Sequence, residues 1–183
     1  MERKESSPKL KLGSTMPDFS LPNVDGSAID AAYMKDGVAA LVIFTCNHCP
    51  YVIGSEEQML NTLIPYIEQG LKVAAICAND AEAYPDDSFD KMKEKSKLMN
   101  LPYPYLHDES QEVAKLFDAA CTPELYLFDK ENNLAWHGKP NNNPSNPAKA
   151  TENHLAIALS QLFAGEAPDP AFVQPMGCSI KWK

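Results

Sequence analysis

Cys46-Asn47-His48-Cys49 is the segment of this chain best equipped for chemistry. Two thiols at that spacing can close into a small disulfide ring, and their setting decides what the ring can do. Before them, Val38 to Phe44 is an apolar run rich in branched residues, the pattern of a strand buried on both faces. After them, Val52, Ile53, Met59, Leu60, Leu63, Ile64 and Ile67 recur at helical spacing. A dithiol at a strand-to-helix junction places its first sulfur near the unpaired N–H groups of a helix start. Those groups favour an anion, so the Cys46 thiol is expected to fall below the roughly 8.5 of a free cysteine. Cys46 is then the candidate nucleophile. Cys49, one turn further and more buried, is the candidate resolving thiol. His48, between them, is placed to tune the pair by its charge or its ring N–H.

A second chemical element lies far along the chain. Cys121-Thr122-Pro123 immediately precedes the strand-like run Glu124 to Asp129. A Thr-Pro at that place suggests a cis-proline loop facing the dithiol, with the backbone of Thr122 exposed to pair with a substrate peptide. Cys121 would then lie near the dithiol, and Cys178, in the tail, has no evident packing role. Both are candidate extra redox thiols, with a packed cysteine as the plainer reading of Cys121. Cys77 sits in an apolar strand and reads as a buried structural thiol.

These residues together resemble the thioredoxin-like superfamily. Phe44 to Val52, Cys121 to Glu124, and the ending Gly177-Cys178-Ser179-Ile180-Lys181-Trp182-Lys183 are similar to redoxins of the AhpC/TSA type. The resemblance runs from about Pro17 to the C-terminus. It implies a thioredoxin-like α/β fold and a dithiol–disulfide oxidoreductase, working on a protein or small thiol substrate with a thiol reductant as second partner. It implies no cofactor. The chain departs from thioredoxins in two places: Thr45 stands where a tryptophan usually precedes the first cysteine, and Asn47-His48 replaces Gly-Pro between the cysteines.

Two other functions compete. A thiol peroxidase of the peroxiredoxin kind resembles Pro-x-x-x-Thr/Ser-x-x-Cys with an activating arginine, but Ala39 and Val42 stand seven residues before the two cysteines and Arg3 is the only arginine. A metal-binding module on the redoxin fold would use Cys46 and Cys49 as ligands. Structural zinc takes four ligands, usually from a second Cys/His pair, and His107, His137 and His154 are scattered. The expectation is therefore no metal.

Positioning the dithiol requires a fold, and the chain supports one domain. It has 183 residues, 44% of them hydrophobic, and a net charge of −9. An acidic chain nearly devoid of arginine is a poor partner for nucleic acid or an anionic membrane surface. The polar start, Met1 to Pro8, lacks an apolar signal core, and five cysteines do not form the even set of a secreted disulfide scaffold. A cytoplasmic protein with reduced resting thiols is expected.

Residues 1–16 read as a flexible arm, and 17–183 as a single domain. A small hairpin is expected around Asp18–Ser27, a second buried strand at Leu71–Ala78, and a helix over Asp87–Met99 capped by Asp86 or Asp87. A short extended piece at Tyr103–Leu106 and a short helix at Gln111–Asp118 follow. Leu125–Phe128 and Leu134–His137 read as a strand hairpin. A final helix is expected from Ala148 to Phe163, ending at Gly165, and then a tail without a clear period. Pro65 should kink or end the helix after the dithiol. Early alternation of strand and helix predicts parallel pairing, and the late hairpin an antiparallel edge, giving a mixed central sheet flanked by helices.

Overall fold

The structure, a computed structural model, describes residues 10–183. An N-terminal hairpin pairs β1 (Ser20–Pro22) with β2 (Ala28–Asp30) and leads into the short helix α1 (Ala31–Lys35). The central sheet then forms from β3 (Ala39–Phe44), β4 (Leu71–Cys77), β5 (Tyr105–His107), β7 (Glu124–Phe128) and β8 (Leu134–Gly138). Its order is β5-β4-β3-β7-β8. β3, β4 and β5 run parallel, while β7 and β8 run antiparallel to their neighbours. The sheet is mixed for the expected reason: long crossovers feed the first three strands and a tight hairpin closes the last two.

Alternation along β3 divides the core. Ala40, Val42 and Phe44 face one layer, with the N-terminal hairpin, α1 and α4 (Glu112–Phe117); Phe117 packs edge-on against Phe44 and Tyr126 there. Ala39, Leu41 and Ile43 face the other, against α2 (Pro50–Ile67) and α5 (His154–Phe163). Helices on both faces explain why every residue of β3 and β7 is buried. Among the described residues no helix is long and apolar enough to cross a membrane.

Several boundaries differ from the sequence reading. Most of the expected arm, 1–9, lies outside the described residues, but its end is docked: Gly13 N donates to Leu134 O at 2.8 Å and Leu134 N to Ser14 O at 2.8 Å. This pairing covers the start of the outer edge of β8, at Leu134, with backbone partners. The helix expected from Asp87 is α3 (Phe89–Leu98), preceded by a 3-10 turn at Pro85–Asp87. Neither Asp86 nor Asp87 caps it; the Asp87 side chain turns inward instead. α5 starts at His154 rather than Ala148, because Asn153 accepts a capping bond from Ala156 N at 3.0 Å. α2 contains Pro65 and ends within one turn of it, as the missing N–H requires. The tail, which shows no period, supplies a strand: β9 (Cys178–Ser179) pairs antiparallel with β6 (Cys121–Thr122).

Candidate active site

The dithiol loop leaves the end of β3, where Thr45 N donates to Ile76 O at 2.9 Å. A buried carboxylate then shapes it. Asp87, fully buried, accepts from Asn47 N at 2.7 Å and from Asn79 Nδ2 at 2.7 Å. His48 Nδ1 lies 2.7 Å from the second Asp87 oxygen, too poorly aligned for a hydrogen bond but close enough for a charge contact. The His48 ring stacks on Tyr84, centroids 5.5 Å apart. From the other side Tyr105 Oη donates to Asn47 Oδ1 at 2.9 Å, and Lys95 Nζ donates to Cys46 O at 3.2 Å while pairing with Glu56. His48, the candidate tuning residue, thus stands against Asp87 and within 4.8 Å of the Cys46 sulfur.

Helix α2 begins at Pro50, with Cys49 as its N-cap. The amide end of the helix therefore lies at Cys49 and not Cys46, with Val52 N and Ile53 N donating to the Cys49 carbonyl at 3.0 and 2.9 Å. The Cys49 thiol is pulled well below the ordinary range, first by the hydrogen bond it receives from Cys46, then by donors from the Cys178 thiol and the Val52 and Cys178 backbones, against the cost of burial. Cys46 moves the opposite way. Donating to Cys49, burial and the Asp87 charge all hold its proton on. The expected lowering of Cys46 is overturned, because the helix starts one residue beyond the second cysteine and a carboxylate stands beside the first.

The late Thr-Pro meets the dithiol as expected. The Thr122–Pro123 peptide is cis. Thr122 Oγ1 is 3.3 Å from Cys46 Sγ, and Thr122 O is 3.2 Å from Cys49 Sγ. The Thr122 backbone is not open, however. It is paired with Cys178 of β9, and Thr122 is only 2% exposed. Cys178 Sγ comes to 2.9 Å from Cys49 Sγ. With β9 in place, Cys46 is 1% and Cys49 0% exposed, so both sulfurs are covered.

Cys121 faces elsewhere. Its Sγ lies 3.7 Å from Glu124 Oε2, and burial followed by that charge raises its thiol pKa. Glu124, fully buried beside Pro123, also accepts from Ala120 N, Cys121 N and Tyr126 Oη, and its Oε1 lies 2.8 Å from His137 Nε2. Cys77 is fully buried, and burial pushes its thiol up to about 12. Asn79 and Glu124 have no role in the sequence reading, where Asp87 figures only as a helix cap and His137 only among the scattered histidines. Glu124 could have been singled out, as a carboxylate at the head of an otherwise apolar strand. Donor atoms of Cys46, His48 and Asp87 all lie within 4.8 Å of one another, a set able to hold a metal ion.

Residues 12–137 match the AhpC/TSA family. A structure of an uncharacterized conserved protein from Geobacillus kaustophilus is 36% identical, with TM-score 0.90, covering 100% of this chain and 97% of that one. Among curated relatives, peroxiredoxin Q, chloroplastic, from Oryza sativa subsp. japonica is 24% identical over 67% of this chain and 56% of its own length. The thiol-disulfide oxidoreductase ResA of Bacillus thuringiensis subsp. konkukian (strain 97-27) is also 24% identical, over 67% of this chain and 66% of its own length. The chain thus spans somewhat more than half of the curated relatives it matches.

Proposed function

The chain belongs to the AhpC/TSA family, and from that premise we propose that it is a thiol–disulfide oxidoreductase whose working pair is Cys46 and Cys49. One observation carries the reading: both sulfurs meet at Thr122 of the cis Thr122–Pro123 peptide, Cys46 at its hydroxyl and Cys49 at its carbonyl. Cys46 passes its proton to the Cys49 thiolate and attacks a substrate disulfide, releasing one substrate thiolate, which takes up a proton. Cys49, losing its proton, then attacks Cys46 in the mixed disulfide. The Cys46–Cys49 bond forms, the second substrate thiol leaves, and the substrate gains the two electrons that the dithiol gives up. A thiol reductant reverses the change. Substrates are disulfides of proteins or small thiols.

The test is reduction of a model disulfide such as insulin. Wild type should be active and Cys46→Ser inactive; equal rates in the two would refute the assignment. The peroxidase reading lacks an arginine among the described residues, since Arg3 lies outside them. Rapid consumption of peroxide with a dithiol reductant would favour it. The Cys46–His48–Asp87 cluster supports a metal-binding reading, which predicts stoichiometric metal in protein purified without chelator and its loss in Cys46→Ser.

A further inference from the structure

We propose that Cys178 is a third redox thiol, which takes Cys49 from the Cys46–Cys49 disulfide and so turns the C-terminal tail into a built-in occupant of the substrate edge. The proposal rests on the reading of Cys46 and Cys49 as a disulfide-forming pair.

Three independent features place Cys178 for this role. First, its sulfur is 2.9 Å from Cys49 Sγ, about 0.9 Å beyond the length of a formed disulfide. Second, its backbone is in register with Thr122, so the tail lies as an added strand on the edge beside the dithiol. Gly177 makes that approach possible: a Cβ there would lie 1.9 Å from Thr122 O. Third, the tail is fastened beyond the cysteine. Ile180 N donates to Ala120 O at 3.1 Å, Lys181 N to Asn79 Oδ1 at 2.9 Å, and Gln111 Nε2 to Lys181 O at 2.8 Å. Ile180 itself is buried in the core. A thiol held this way attacks without the entropic cost of finding its target. Cys121, the other candidate, belongs to Glu124 and has no such approach.

The exchange needs no external oxidant. The Cys178 thiolate attacks Cys49 Sγ, the Cys49–Cys178 bond forms, and the Cys46–Cys49 bond breaks. Cys46 leaves as a thiolate and takes up the proton that Cys178 released. One disulfide replaces another, so the electron count is unchanged. The product frees Cys46 for a new substrate and stitches the tail over Thr122. A thiol reductant cleaving Cys49–Cys178 restores the trithiol. Cys49 is thus the shared sulfur of two alternative bonds.

The experiment oxidises the full chain with glutathione disulfide, blocks free thiols at low pH, and maps tryptic peptides by mass. Cys46 and Cys49 fall on one peptide and Cys178 on another, so the two bonds are distinguishable. Wild type should yield the Cys46–Cys49 bond together with a Cys49–Cys178 cross-link. Cys46→Ser and Cys46→Ala should each lose two hydrogens and carry only the cross-link, and Cys178→Ser only Cys46–Cys49. If wild type forms Cys46–Cys49 but both Cys46 variants hold Cys49 only as a glutathione adduct or free thiol, the third-thiol proposal is wrong and the dithiol reading stands. If neither wild type nor Cys178→Ser forms a Cys46–Cys49 bond, the dithiol reading itself fails.

Discussion

Gly177→Ala is the substitution that the tail should tolerate least. The new methyl would sit 1.9 Å from Thr122 O and 2.5 Å from its carbonyl carbon, both backbone atoms. Nonbonded carbon contacts settle near 3.5 Å, so β9 must withdraw from β6 by roughly 1.5 Å. Hydrogen bonds near 3 Å do not survive that displacement. What is lost is the pairing of Thr122 with Cys178 and of Cys121 with Ser179, and the approach of Cys178 to Cys49. At about 1 kcal/mol for each hydrogen bond, the docked tail loses roughly 2–3 kcal/mol. That is well below the roughly 5–15 kcal/mol holding a domain together, so the core remains folded while the tail opens. Opening becomes about 30- to 150-fold more frequent, since 1.4 kcal/mol is tenfold. The assay is the rate at which a thiol-specific reagent modifies Cys46 and Cys49 in the reduced protein, with peptide mapping and a thermal melt in parallel. Modification should accelerate by about that factor with only a small fall in Tm. An unchanged rate would show that β9 does not gate the sulfurs; acceleration matched by global unfolding would show that the tail is part of the core rather than a cover.

Other outcomes follow from the same geometry. Thiolate absorbance near 240 nm should be present at neutral pH in the reduced protein and lost in Cys49→Ser, because Cys49 is the sulfur whose pKa is lowered; a signal lost only in Cys46→Ser would reverse the proton placement. A lowered folded pKa means the Cys49 anion stabilises the fold at pH above the ordinary thiol range, and this contribution fades as pH falls through the folded value. Replacing Cys49 by Ser should therefore flatten the rise of stability with pH in the range between those two values, read by denaturant titration. Asp87→Asn removes a charge that receives bonds from Asn47 N and Asn79 Nδ2, so it should cost about 2–4 kcal/mol and shift Cys46 alkylation to lower pH; alkylation with an unaltered pH profile would remove Asp87 from the electrostatics of the pair. Glu124→Gln breaks a buried carboxylate–imidazole contact and should cost about 3–5 kcal/mol, and chemical denaturation with an unmoved midpoint would contradict this.

The dithiol was legible because its signal is local. A buried-strand run, Cys46 to Cys49 and an amphipathic helix are contiguous, and each element dictates its neighbour's geometry. Thr122-Pro123 was legible for the same reason, as the lead into an apolar strand. Asp87 was misread because an acid just before a helix has an ordinary local use as a cap, and nothing nearby in sequence reveals that Asn47 and Asn79 compete for it. The tail was opaque because β9 is two residues long, too short to show alternation. Its stability comes from Thr122, Asn79 and Gln111, remote in the chain and visible only when folded. The helical pattern, which begins at Val52, does not reveal which of the two cysteines stands at the helix start; in the fold it is Cys49.

The consequence of that placement is a division of labour among three sulfurs. The middle sulfur is held low by the thiols of Cys46 and Cys178 beside it, whereas Cys46 faces a carboxylate and Cys178 is raised by burial. The reduced state is therefore stabilised at Cys49, and any disulfide that includes Cys49 gives up those hydrogen bonds when it forms. Stabilising the thiolate makes the couple more oxidising. Cys49→Ser should remove both alternative bonds at once, while Cys46→Ser and Cys178→Ser each remove one. If the two bonds draw on the same anion, the two single variants should have disulfides of similar potential in equilibrium with a glutathione buffer. A Cys46–Cys49 bond far harder to reduce than Cys49–Cys178 would mean that the environment of the outer sulfurs, Asp87 above all, and not the shared Cys49 anion, sets the potential.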